Sequence, residues 1–204
     1  MGYTVIPFIK DIILSIAAIT TASVAVYGLS TWKRQHVGHV EYDLARRLLK
    51  TSYAIRNAIN QVRHPMMWAY EMVEPPEDGK TYSHQEKKHY GTANAYQKRW
   101  EKVQNAKDEL NTDLLEAEAI LGNEIYKIFK PCKDLESELF SSIQDYLQLI
   151  NPNESDEMKE VISKSRKKQI NILYDDLTDN NEYRKNYTTA IEEIEKYLKP
   201  KLSK

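Results

Sequence analysis

Two histidines three residues apart, His36 and His39 in WKRQHVGHVEYD, are the first side chains of this chain whose types and spacing could do chemistry. Residues three apart share a helix face, and imidazole is the commonest metal-ligand side chain. A metal site needs a third and usually a fourth ligand. The nearest carboxylates, Glu41 and Asp43, fall on other faces of a regular helix, and Gly38 loosens the turn between the histidines. The stretch reads as a solvated neck, not a metal centre. Glu86-Lys-Lys-His89 has the Glu-x-x-His spacing of di-iron bundles, which need a second such motif and further inward glutamates; this chain has no second one. Cys132 is the single cysteine, and it could act as a nucleophile only beside a base that sequence does not locate. A small buried thiol accounts for it as well. The carboxylates of Asp175 and Asp176 open an acidic turn, 175–181, that reads as a solvated linker.

Other catalytic signatures are missing. Lys80 follows a single glycine, Gly79, without the earlier glycine of a Walker-type phosphate loop. There is no Gly-x-Ser-x-Gly elbow, no His-Glu-x-x-His motif and no paired-cysteine zinc pattern. Neither a catalytic residue, a metal ligand nor a cofactor is assigned. The inward helix faces are mostly aliphatic or tyrosine, which favours an interaction protein over an enzyme. Two alternatives stay open. One is a metal-dependent enzyme whose site forms between helices, using His84, His89 and glutamates of the long helix. The other is a membrane-acting stress or defence effector, with the body as sensor and a membrane span as output.

The elements that would position these side chains follow from composition and periodicity. The chain has 204 residues, enough for one domain plus an anchor, and a formal net charge of −1. So balanced a chain has no overall basic field, and nucleic acid is not an expected partner. One cysteine cannot staple the fold within a chain. Six glycines and seven prolines are too few for a protein of many tight β-turns.

Residues Ile12–Leu29, IILSIAAITTASVAVYGL, carry no charge. As a helix they rise about 27 Å, close to the roughly 30 Å hydrocarbon thickness of a bilayer. Tyr3 and Trp32 flank the run where amphipathic aromatics favour the interface. A cleaved signal peptide would want a basic start, and here Lys10 is neutralised by Asp11. Ser23-Val24-Ala25 does offer a small-residue cleavage site, so cleavage stays an alternative, as does a buried core helix, but the run is expected to span the bilayer. Lys33, Arg34, Arg46, Arg47 and Lys50 follow it, which predicts an amino terminus outside and a cytoplasmic C-terminal body. Ala17, Thr21 and Ala25, and likewise Ala18 and Ala22, recur every four residues. Such faces either let two spans pack closely, giving self-association, or are simply tolerated in lipid.

Beyond the anchor (1–31) the body (32–204) reads as helices. Val37, Val40, Leu44, Leu48, Thr51, Ile55, Ala58 and Val62 form one narrow stripe on a neck helix, 32–63, with Arg46, Arg47, Lys50, Arg56 and Arg63 off it. Ser83 and Glu86 form a capping box. It opens a long helix, 83–122, whose Ala93, Tyr96, Trp100, Val103, Lys107, Leu110, Leu114, Ala117 and Leu121 step by three and four. That repeat predicts an antiparallel coiled-coil hairpin with the neck, the Lys107 stem along the seam and its ammonium in water. Shorter helices are expected at 131–150, with Pro131 in the first turn, at 155–174, burying Met158, Val161, Ile162 and Ile172, and at 180–199, burying Tyr183, Tyr187, Ile191, Ile194 and Leu198. The connection 64–82 is long for a compact domain and gathers Met66, Met67, Trp68, Tyr70 and Met72 before Pro75-Pro76. Those side chains either cap the hairpin core or form an adaptable surface for an unidentified protein partner.

The segment Thr31–Pro65, with Trp32-Lys33-Arg34, then Glu41-Tyr42-Asp43-Leu44-Ala45-Arg46-Arg47 and an Arg-x-Pro end at Arg63–Pro65, resembles a pattern in uncharacterised bacterial single-span membrane proteins with a cytoplasmic helical domain. The resemblance covers about a sixth of the chain. It implies a bacterial inner-membrane location and no activity. The whole reads as an all-α chain: an N-terminal transmembrane helix, a long antiparallel coiled-coil hairpin and shorter packed helices, serving as a membrane-tethered scaffold.

Overall fold

The computed structural model describes residues 5–166, 170–178 and 180–203. Among them the chain is all helical, with no strand. The helices are α1 (Val5–Val62), α2 (His84–Leu121), α3 (Glu124–Ile150), α4 (Asp156–Arg166), α5 (Ile170–Leu173) and α6 (Glu182–Leu198), followed by a 3₁₀ turn, Lys199–Leu202. They divide into two compact units, 1–43 and 44–203.

In the first unit, every residue from Ile13 to Leu29 is exposed. This helix is long and apolar enough to cross a membrane. Tyr3 lies outside the described residues. The hydroxyls of Thr20, Thr21 and Ser23 donate to the carbonyls of Ile16, Ala17 and Ile19 at 2.9, 2.9 and 2.8 Å. Hydroxyls that bond one turn back add no unmet polar group to an apolar surface.

The second unit holds the core. From Leu44 onward α1 buries Leu44, Leu48, Thr51, Ile55, Ala58 and Val62, the six stripe positions that fall in this unit. It also buries Ala45, Leu49, Ser52, Ile59 and, just past its end, Arg63. A two-stranded seam is narrow, whereas this face is wide, because the helix meets α2 on one flank and α6 on another. Arg47 pairs with Asp113 and Glu116, and Lys102 donates to Gln61. Those contacts run in opposite chain order, so 44–62 and α2 are antiparallel. On the other flank the Tyr53 hydroxyl donates to Glu195 at 2.7 Å.

The α2 start is as the sequence predicts: the Glu86 N–H donates to Ser83 Oγ at 3.2 Å, and the Ser83 N–H donates to the Glu86 carboxylate at 2.8 Å. Its end is set by Gly122, whose φ of +81° suits a residue without Cβ. The inner face of α2 keeps the expected register at Tyr96, Val103, Leu110, Leu114 and Ala117, all buried, and shifts only near its start. Thr92, Tyr96, Arg99 and Val103 are buried, while Ala93 and Trp100 are only half-buried.

α3 starts at Glu124, seven residues before Pro131, which lies inside the helix and not in its first turn. Ile125 and Phe129, 0% and 1% exposed, anchor the added turns in the core, and that packing outweighs the donor that proline lacks. α3 packs on α2, α4, α5 and α6. In the stretch expected to be one helix at 155–174, Ile162 and Ile172 are buried, but Met158 and Val161 face solvent. Residues 167–169 lie outside the described residues. Asn181 caps α6 by accepting the Arg184 N–H at 2.9 Å, and all five of its expected inward residues are buried.

Candidate functional site

A helix ends with unpaired carbonyls and a partial negative charge, so the end of α1 attracts cations. Two buried arginines lie there, and Arg99 reaches the last α1 carbonyl, that of Val62, at 3.5 Å. Arg99 of α2 donates from Nη1 to the carbonyl of His64 at 2.9 Å and from Nη2 to that of Met66 at 2.6 Å. Its guanidinium also grips Glu71 in a two-point fork, at 2.8 Å from Nε and 2.7 Å from Nη2. Glu71 in turn accepts the Trp68 N–H at 2.9 Å, and its own N–H donates to the Trp68 carbonyl at 2.9 Å. One side chain thus fastens residues 64–71 to α2. Paired forks of this kind combine charge with fixed geometry.

Arg63 does the equivalent on the other side. Only 1% exposed, it donates from Nε to the Ile172 carbonyl at 2.7 Å, and from Nη2 to the Tyr174 carbonyl at 3.3 Å and Asn181 Oδ1 at 3.0 Å. Its guanidinium lies 4.2 Å over the Tyr183 ring. Asp175 sits between Arg63, at 3.8 Å, and Arg184, which grips it with Nε and Nη2. The Asp175 N–H closes the ring of contacts on the Arg63 carbonyl at 2.9 Å.

A third polar cluster lies within the core. Glu136 of α3, 2% exposed, pairs with Lys107 at 3.2 Å and accepts the Tyr187 hydroxyl at 3.3 Å. The Lys107 ammonium therefore turns inward to a buried carboxylate, where the sequence suggested water. Cys132 is buried one turn away, and burial together with Glu136 pushes its thiol up to about 12. The thiolate, the reactive form, is scarcely populated at neutral pH.

These carboxylates predict opposite pH responses. The hydrogen bond from Arg99 holds Glu71 below the usual carboxylate range. Its contribution is complete above the unfolded value of about 4.3 and is lost as pH falls through the depressed value. Burial raises Glu136, although Lys107 opposes the shift. The native state then binds that proton more tightly, so stability falls as pH rises from about 4.3 through the raised value. Urea midpoints measured across acid to neutral pH should show Glu71→Gln losing the acid-side decline and about 2 kcal/mol at neutral pH. Glu136→Gln should lose the decline on the rising side. Parallel profiles for both variants and the parent would contradict the assignment.

The residues singled out in the sequence are distributed unevenly around this framework. In the 64–82 loop Met66, Trp68 and Tyr70 are 54%, 52% and 77% exposed. Met67 packs against the core, and Met72 covers Gly91, where an added Cβ would come within 3.3 Å of the Met72 Cβ. The loop is therefore a core cap on one side and a solvent-facing surface on the other. Ala17, Ala18, Thr21, Ala22 and Ala25 are all exposed. His36 stacks on Trp32 at 5.5 Å, and His39 lies 3.3 Å from Asp43. Asp43, one turn on, thus shares the face of His39 and not another face as the sequence suggested, and the two histidines engage separate neighbours. Of the candidate pair on α2, His84 is exposed and His89 half-buried. Among the described residues no three His, Cys, Asp or Glu side chains converge as metal ligands would. The sequence reading missed Arg99 and Glu136. Each sits at an inward step of three or four from its buried neighbours, which is the one signal that could have found it. No protein-family model matches the chain, and neither a curated protein nor a solved structure is significantly similar to it.

Proposed function

We infer that this chain is a membrane-tethered helical interaction protein, a scaffold or assembly subunit that self-associates and offers its 64–82 loop to a protein partner. Residues Ile12–Leu29 are the anchor, set in a bacterial inner membrane with the amino terminus outside and the body in the cytoplasm. Residues 44–62 and α2 are the arms of its antiparallel hairpin, with stretches of coiled-coil spacing. One observation carries the reading: an apolar helix exposed at every residue from 13 to 29, with its Thr and Ser hydroxyls bonded internally. Exposed to water, that surface is unfavourable at about 25 cal/mol per Å². In a bilayer it is the required surface. The basic residues Lys33, Arg34, Arg46, Arg47 and Lys50 support the orientation.

Alkaline carbonate extraction of host membranes, followed by protease treatment of spheroplasts, tests the placement. The full-length protein should stay in the membrane pellet and its body should resist external protease. Release by carbonate would overturn the anchor. Digestion from outside would overturn the orientation.

A further inference from the structure

The loop surface forms one wall of a cleft of about 490 Å³, lined by Asn60, Gln61 and His64 near the end of α1, Trp68 and Tyr70 from the loop, and Lys102 from α2. Glu71 and Arg99 also line it and neutralise each other through their fork. The remaining charge is Lys102, whose ammonium donates to Gln61 Oε1 at 3.0 Å and is attracted to Glu71 without a direct ion pair, so the cleft carries one net positive charge. The backbone that carries the aromatics is fastened at Trp68, Glu71 and Met66, which places two large exposed rings beside this net positive charge. Holding recognition groups in position before binding reduces the ordering cost of association.

The same chain displays the chemical complement on its 74–79 turn, EPPEDG. Pro75 and Pro76 fix their own backbone. Asp78 accepts the Lys80 N–H at 3.1 Å and the Tyr82 hydroxyl at 3.0 Å, and Gly79 closes the turn at φ +80°. Glu77 is exposed on this turn and pairs with no cation among the described residues. Proline segments dock into aromatic-lined grooves, and a carboxylate complements an ammonium. We propose that the cleft receives the Pro75-Pro76-Glu77 turn of a second copy of this chain, with the proline rings against Trp68 and Tyr70 and Glu77 paired with Lys102. This contact rests on the self-association reading above.

A photo-crosslinking residue in place of Tyr70, in the full-length protein in its own membranes, tests the contact. It should give an adduct of two copies. Lys102→Glu or Glu77→Lys alone should reduce that adduct at least fivefold, and the double charge reversal should restore it. Both side chains are exposed, so every variant should stay folded. Glu77→Lys should leave the melting temperature unchanged, and Lys102→Glu should lower it only slightly, through the lost Gln61 bond and the lost attraction to Glu71. An adduct with a different protein, an adduct indifferent to both charges, or single losses that the double reversal does not restore would each overturn the proposal. Native mass separates the two failures. An oligomer without the adduct removes this contact alone, and a monomer removes the self-association on which it rests.

Discussion

Arg99→Met should lower the stability of the body by about 3–5 kcal/mol, the usual loss when one partner of a buried ion pair is removed. For a unit of this size that is roughly 10 °C in melting temperature. The loss has three parts on the same side chain. Glu71, with its side chain 13% exposed, keeps its charge but loses both guanidinium bonds. The carbonyls of His64 and Met66, just past the end of α1, lose their donors. Residues 64–71 then lose their fastening to α2. Hydrogen exchange should therefore accelerate first in 64–73 and only later in α2 and α3. Arg99→Lys keeps the charge without the fork and should recover less than half of the loss. Thermal melts with exchange read by peptide check this, and a change below about 1 kcal/mol would contradict it.

Arg63→Met should cost a similar amount, about 3–4 kcal/mol, by a different route. Asp175 retains Arg184, so no carboxylate is left wholly unpaired. The cost falls on the carbonyls of Ile172 and Tyr174, on Asn181 Oδ1 and on the face of Tyr183, all of which lose the guanidinium. The affected segment links α5 to the start of α6. Protection should fall there while 64–71 stays protected, the reverse of the Arg99 variant. Since Arg63 and Asp175 share one network, Asp175→Asn should cost less in the Arg63→Met background than alone. Additive losses in that double-mutant cycle would contradict the shared network.

Helix existence was legible in the sequence, because periodicity and capping are local. The Ser83–Glu86 box, the inward face of α6 and the apolar 13–29 stretch all follow from residues within a few turns of one another. Partners distant in sequence were not legible. Arg63 reads as a solvated charge off a narrow stripe until Asp175 and Tyr183 are brought to it, more than a hundred positions away. Arg99 looks like one more surface arginine beside Trp100 until the loop folds Glu71 back over it. The proline at 131 misled for the same reason: its local signal for a helix start is overridden by Ile125 and Phe129, whose burial depends on neighbours in other elements. At Lys107 the apolar stem was foreseen, but its partner Glu136 lies on another helix.

The central claim is that this chain works as a self-associating, membrane-anchored interaction protein. The most direct test is the native mass of the full-length protein, extracted gently from its host's membranes and measured by light scattering corrected for detergent. The reading predicts a whole multiple, two or more, of the 23.8 kDa chain. A mass of one chain alone would contradict it.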